Sequence, residues 1–379
     1  MMRKLTIILF LIASFSSIAR EITYLARSPR ALLMGDAYTS IANDDEYTLF
    51  YNPAALGVNQ SVTITPLNPT FGLTNALDEL DRFENFPSSD TAAIADRLLG
   101  FPVYLHVDGI PTVKIPYFAL SLFASSTTSM VLRNKIHPSL NVKYALDKGF
   151  ATGFAFSFGN GATRKKGSKK VSPGSRTSVG LGVKFIKREG LDSSFDLFST
   201  DILNTVNNGV ESVADLRESL GFSRGKGWGY DLGVEHIFST GITEFRLGAS
   251  VLDVADTRFK KTSGDDDIPR QEMAVNFGSS IRQDLKLLEW TLAFDLHSLN
   301  QPIDYRRKIH VGGSFRILNL EFLGGFSQGY VSYGIGLNLW PIKIIAGFYG
   351  VELGEKYREE KGSRAVIQLK LLEIDLDLY

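Results

Sequence analysis

From about Phe150 onward the chain repeats one pattern, a run of roughly eight to twelve residues alternating apolar with polar or small, then a turn. Successive side chains on a strand point to opposite faces, so each run predicts a strand with one apolar and one polar or glycine face. Phe150, Thr152, Phe154, Phe156 and Phe158 alternate with Ala151, Gly153, Ala155 and Ser157. Trp228, Tyr230, Leu232, Val234 and Phe238 oppose Asp231, Gly233 and Glu235, and Phe245, Leu247 and Ala249 oppose Glu244, Arg246 and Gly248. The same stripe returns in residues 179–185, 273–281, 290–296, 309–315, 318–326, 331–339 and 342–348.

Two architectures produce such stripes. A soluble sandwich buries its apolar faces against each other, whereas a membrane barrel turns them to lipid and keeps the polar face inside. The polar face here carries Asp231, Glu235, Glu244, Arg246, Asp295, His297, His310, Arg316, Glu321 and Asn338, diluted by glycine. Runs of about ten residues suit a tilted crossing of a hydrocarbon core, while soluble strands average about five or six. An open sheet would leave edges that lipid cannot solvate, so the barrel has to close. Composition agrees: 26 Phe, 14 Tyr and 3 Trp lean towards β structure. Lys+Arg and Asp+Glu balance at 41 each, which gives no global field for nucleic acid. The absence of cysteine excludes disulfides and thiolate chemistry.

The N-terminus reads as an export signal. Met1-Met2-Arg3-Lys4 is a basic start, residues 5–15 are mostly apolar, and Ser17-Ile18-Ala19 offers small residues for cleavage before Arg20. The expected fold is therefore all-β: a transmembrane antiparallel β-barrel of about 14 strands (range 12–16), in the outer membrane of a Gram-negative bacterium. With the C-terminus inside, backward counting puts residues 189–226, 255–270, 301 and 353–362 outside. The short turns 239–241, 283–286 and 340–341 fall inside, as does the longer segment 160–175. Ahead of Phe150 the pattern predicts a strand at 62–65, helices at 75–81 and 89–99 capped by Ser89 or Asp90, and two or three strands within 112–146. A further helical insert is expected at 195–220.

Residues 27–57 do not alternate, and a compact non-strand segment ahead of a barrel predicts a plug in its lumen. Three runs stand out there: Arg30-Ala31-Leu32-Leu33-Met34-Gly35-Asp36-Ala37, then Asn43-Asp44-Asp45, then Tyr51-Asn52-Pro53-Ala54. In order and spacing they resemble the long-chain fatty acid transporter (FadL-like) superfamily, which includes PorV-type barrels of secretion machinery. The resemblance covers about thirty residues. It implies a fourteen-stranded barrel closed by an N-terminal hatch in which Asn52, Pro53 and Ala54 form the central element and Met34 and Gly35 pack nearby. It also implies capture of a hydrophobic molecule outside, a pocket beside the hatch, and lateral release through the wall. The organisation expected is thus signal peptide 1–19, hatch 20–57 and barrel 58–379, with loop insertions at about 75–99 and 195–220.

Leu77, Leu80, Phe83 and Phe86 would give the first long loop an apolar landing surface. Arg164, Lys165, Lys166, Lys169, Lys170 and Arg176 make a basic run, which reads as a solvated loop. Gly264-Asp265-Asp266-Asp267 lacks the spaced ligands of a calcium loop. Five histidines (His106, His137, His236, His297 and His310) show no metal-pair spacing and no serine-nucleophile context. No catalytic residue, metal site or cofactor is expected, and no enzyme. His297 and Asp295 share a face, as polar lumen pairs do. Expected partners are outer-membrane lipid, a hydrophobic small molecule, and the barrel-insertion machinery through a last strand ending at Tyr379. In that strand Leu378, Leu376, Ile374 and Leu372 sit off the parity of Tyr379, which predicts a β-bulge near Leu371-Leu372. The leading function is uptake of fatty-acid-like molecules. A non-transporting scaffold docking periplasmic or surface proteins comes second, and a diffusion porin third.

Overall fold

A computed structural model describes residues 24–77, 80–84, 91–162, 172–196, 221–264, 266–285 and 287–377. The wall is a closed antiparallel barrel of fourteen strands, three of them interrupted. In chain order they are β1 (Ser61–Thr65 and Thr70–Thr74), β2 (Pro102–Gly109 and Thr112–Ile115), β3 (Phe118–Arg133), β4 (Ser139–Asn160), β5 (Gly174–Asp196), β6 (Ser223–Ser239) and β7 (Thr243–Leu252). There follow β8 (Ala274–Asp284), β9 (Leu288–Leu296), β10 (Ile309–Ile317), β11 (Leu320–Ser327), β12 (Tyr330–Leu339), β13 (Ile342–Glu352) and β14 (Lys361–Leu371 and Ile374–Asp377). A short extra strand, Lys260–Ser263, extends the sheet beside β6. β14 closes on β1 through Arg364↔Thr74 to Gln368↔Thr70 and Ser61↔Asp377 to Ile64↔Ile374.

The two faces divide as the alternation requires. β6 alternates buried and exposed from Ser223 to Ser239 without a break. Trp228, Tyr230, Leu232 and Val234 point out, and Asp231 and Glu235 are buried inside. An outward apolar surface of this extent is the surface lipid solvates. Among the described residues no helix is long and apolar enough to cross a membrane.

Strand length departs from the expected ten or so. β4 has 22 residues and β5 has 23, about 75 Å of extended chain. The ladder between the two runs from Ser139↔Asp196 to Asn160↔Ser175, so the pair can continue into water past the hydrocarbon layer. The outer part of β4, from Ser139 to Leu146, shows half-buried residues on both faces, as a strand above the lipid should.

Loop asymmetry follows the expected sides. Pro116-Tyr117, 240–242, Leu318-Asn319 and Trp340-Pro341 connect strands at one end, where both ends of the 161–173 segment also lie. The segment containing Ile136, His137 and Pro138 is the β3–β4 connection at the opposite end. Two short helices, Leu80–Phe83 and Thr91–Leu98, occupy the β1–β2 connection, a shift of the first from the expected 75–81. Phe195 and Asp196 still belong to β5, and the rest of the expected helical insert lies outside the described residues. The parity of β14 switches as the bulge requires. Leu372 has φ +57°, and Leu372, Ile374 and Leu376 point outward where Ile367 did before. The export signal and Tyr379 lie outside the described residues.

Candidate functional site

The N-terminal segment is built from short, capped turns. Ser28 caps helix α1 (Pro29–Leu33), its Oγ accepting from Ala31 N at 3.2 Å, with Pro29 at the first position where no donor is missed. Gly35 then turns the chain at φ +62°, a backbone region that favours glycine. A second helix, α2 (Thr48–Tyr51), ends at Asn52, which caps a 3-10 turn over Pro53–Val58 by accepting from Ala54 N at 3.1 Å.

The inner wall carries a matching imprint in glycine. Gly180 of β5 and Gly233 of β6 face each other across the ladder. A Cβ on either would overlap Asn52, Pro53 or Ala54. Gly312 and Gly325, paired between β10 and β11, are overlaid in the same way by Met34 and Gly35. Gly334 and Gly347, paired between β12 and β13, receive Leu33. All five expected hatch residues therefore lie flat on glycine-paved wall. They are brought to two separate patches, with Asn52-Pro53-Ala54 on β5–β6 and Met34-Gly35 on β10–β11.

Charge and hydrogen bonds complete the docking around the circumference. Arg30 reaches Glu321 at 2.9 Å, Asp44 at 3.1 Å and Ser314 Oγ at 3.1 Å. Arg282 also pairs with Asp44. The backbone N–H groups of Tyr38 and Thr39 both donate to Asp295 Oδ2, at 2.8 and 2.7 Å. Lys114 Nζ donates to the carbonyls of Asn43 and Asp45 at 2.9 and 2.8 Å, and Glu46 pairs with Lys370. Asn52 Nδ2 donates to Thr39 O and to the Val234 carbonyl of β6. Buried ion pairs like these add little net stability, yet removing one partner strands the other at about 3–5 kcal/mol. Burial works to raise the Asp36 carboxyl, but the adjacent Arg27 guanidinium holds it below the usual carboxylate range, so Asp36 stays ionised.

Two unlike spaces flank the segment. On the long-loop side is a cavity of about 140 Å³ lined by Tyr24, Leu25, Leu32, Tyr104, Tyr349 and Val366 with His106, Arg188 and Arg364. Arg364 stacks on the Tyr104 ring at 3.6 Å. A vestibule of about 1,100 Å³ above it shares Ser129, Lys143, Asp192 and Pro269. On the short-turn side, about 430 Å³ is lined by Arg30, Asp44, Glu46, Lys114, Arg282, Glu321, Lys343, Lys370, Glu373 and Asp375.

The wall is thin at one place between these spaces. β1 is broken by Pro66-Leu67-Asn68-Pro69 and β2 by Ile110-Pro111, at the same level. Prolines donate nothing to a ladder. The Asn68 carboxamide stands in for the missing peptide, accepting from Ile110 N at 2.8 Å and donating to Ile110 O at 3.1 Å. It also donates to Glu46 of the N-terminal segment at 2.8 Å. Thr65 lines the charged space and Thr70 the upper cavity, so the seam lies between their levels.

Of the expected capture residues, Leu77 is exposed, at 61%. Leu80 and Phe83 are the ends of the first loop helix, and Phe86 lies outside the described residues. Sequence spacing missed the seam and missed a buried cluster of Asp36, His297 and His310. Those three lie far apart in the chain, so no local motif marks them.

No protein-family model and no curated protein matches the chain. Solved structures do. CymD, a monoaromatic hydrocarbon channel, aligns over 94% of this chain and 99% of its own at 11% identity and a TM-score of 0.47. The toluene transporter TbuX of Ralstonia pickettii aligns over 92% and 99%, at 10% identity and 0.46. The toluene transporter TodX of Pseudomonas putida gives 93% and 100%, at 11% and 0.44. Likeness at this level carries no ligand over to this chain.

Proposed function

We propose that the chain is an outer-membrane uptake protein of a Gram-negative bacterium, taking a small hydrophobic molecule from the outside into the cavity above residues 24–58. In this reading those residues are a hatch, and the molecule leaves sideways through the β1–β2 seam. The observation that carries it is the division of the lumen, with a small cavity of mixed tyrosine, aliphatic and charged lining facing the long loops and a more densely charged space behind. A cavity of about 150 Å³ admits one benzene-sized ring, so the upper space at about 140 Å³ suits a single ring better than a long acyl chain. Tyr104, Tyr349 and Val366 supply apolar contact, and His106 and Arg364 suit a polar edge on the ligand.

The test is uptake of a radiolabelled monoaromatic hydrocarbon, beside a labelled long-chain fatty acid, in cells producing the protein. Ala145→Trp fills the cavity from the wall. It is expected to bring hydrocarbon uptake down to background at unchanged yield of folded barrel. Uptake that is indifferent to Ala145→Trp would sink the reading. In planar bilayers the wild type is expected to give no large, stable single-channel currents, because the hatch fills the lumen. Large currents would make the protein a porin.

A second reading, a scaffold that docks other proteins without transport, draws support from the Asn68 bridge, which completes the wall's hydrogen bonding. Its signature is absence of both current and uptake.

A further inference from the structure

We propose that Asp36, His297 and His310 form a binding site for a divalent transition-metal ion of the zinc class, clipping the segment around Asp36 to the β9–β10 wall. All three residues are buried, and one ligand atom from each lies within 4.8 Å of the other two. The tautomers follow from their neighbours. His310 Nδ1 is 2.8 Å from the Gly35 carbonyl oxygen, which can only accept, so Nδ1 carries the hydrogen and Nε2 carries a lone pair. His297 Nε2 is 3.0 Å from Asp295 Oδ2, a carboxylate oxygen that already accepts two backbone N–H groups. That contact places a hydrogen on Nε2 and leaves Nδ1 facing Asp36 Oδ2 at 3.6 Å. Neither His297 Nδ1 nor His310 Nε2 has a hydrogen-bond partner, and the two rings lie 4.1 Å apart.

Asp36 Oδ2 already pairs with Arg27, but the two imidazole lone pairs beside it have no partner among the described residues, and two imidazoles with a carboxylate make a donor set that accepts a metal cation. A proton on His297 Nδ1 would answer Asp36 alone and leave His310 Nε2 unsatisfied. A metal ion answers all three. Two imidazole nitrogens with one carboxylate oxygen select zinc-like ions over magnesium or calcium, with a further coordination position left open. Tetrahedral zinc sets its ligand atoms about 3.3 Å apart, so ligand atoms that lie within 4.8 Å of one another would close by up to about 1.5 Å on binding. The outer contacts are those of a built metal site. His297 is held by Asp295, His310 by the Gly35 carbonyl, and Asp36 by Arg27 and by Tyr51 Oη at 2.7 Å. Asp36 comes from the N-terminal segment and the histidines from the wall, so one ion would tie the two together whatever the barrel carries.

The test uses full-length barrel folded in detergent, its folding confirmed by heat-modifiable migration on a gel, and stripped with chelator. Co²⁺ titration is expected to develop visible ligand-field bands that Zn²⁺ abolishes, and Zn²⁺ is expected to raise the thermal midpoint. His310→Gln and Asp36→Asn should each lose the bands. Asp295→Asn, which alters the outer contact to His297 and also the acceptor of the Tyr38 and Thr39 N–H groups, should weaken binding by about 10–100-fold. A folded wild type that develops no Co²⁺ bands overturns the proposal and leaves a protonated His297 as the cluster's cation. Bands that survive in a folded His310→Gln barrel also overturn it, by placing the metal elsewhere.

Discussion

Single residues fix how closely the N-terminal segment meets the wall. The glycine pairs are decisive because any side chain would hold Asn52-Pro53-Ala54 or Met34-Gly35 away from the sheet. Gly180→Val is expected to destabilise that docking by about 1–3 kcal/mol, the usual cost of overpacking a close contact. Bilayer recordings should then show current fluctuations that the wild type lacks. Gly324→Val is the control, since a Cβ there has nothing within 4 Å. Equal behaviour of the two variants would show that the glycine imprint does not hold the segment. The glycine-diluted face was legible in the sequence as a polar face, because alternation reports parity. What lay against it was not legible, because parity says nothing about a partner some hundred residues away. The Asp36, His297 and His310 cluster was hidden for the same reason. Its members stand 261 and 13 residues apart in the chain, joined by the β9–β10 pairing and by the docking of the N-terminal segment on Asp295.

At the scale of elements, the strands from β4 onward were readable one by one, since each has a wet face and a lipid face. β1 and β2 were harder. Residues 62–65 read as a complete short strand, and Pro66 and Pro69 concealed that Thr70–Thr74 continues it on the same side of the barrel. Proline cannot donate to a ladder, so a sequence reading ends the strand there, whereas in the fold the Pro69 carbonyl accepts from Leu369 N at 3.0 Å and the Asn68 side chain spans the gap to β2. Asn68→Ala would strand the Ile110 N–H, while the Ile110 carbonyl keeps the Thr112 hydroxyl at 3.0 Å, at about 1–3 kcal/mol for an unmet buried group. Faster hydrocarbon uptake in this variant is the expected result if the seam is the exit, and an unchanged rate would exclude it. For the first loop, replacing Leu80 and Phe83 together by Ser should reduce uptake of a hydrophobic probe without lowering barrel yield. Undiminished uptake would remove that loop from capture.

For the molecule as a whole, strand count (within a range of about 12–16) and sidedness were accessible because the alternating runs from Phe150 onward and their turn lengths are local properties. The N-terminal segment was accessible as a plug from its lack of alternation, and in its detail through its resemblance to a superfamily. Its partners are spread over almost the entire circumference and the entire chain. Arg30 bonds Ser314 and Glu321, which lie 284 and 291 residues later, and Glu46 bonds Gln368, 322 residues later. Contacts of such separation form late, because the intervening chain must be ordered first. The order of assembly therefore runs against the order of synthesis. The residues made earliest lack their complete surface until β14, which supplies Gln368 and Lys370, is in place, so the final set of the segment is a timestamp for barrel closure. Protease protection of residues 24–58 should appear only with the last strand in place.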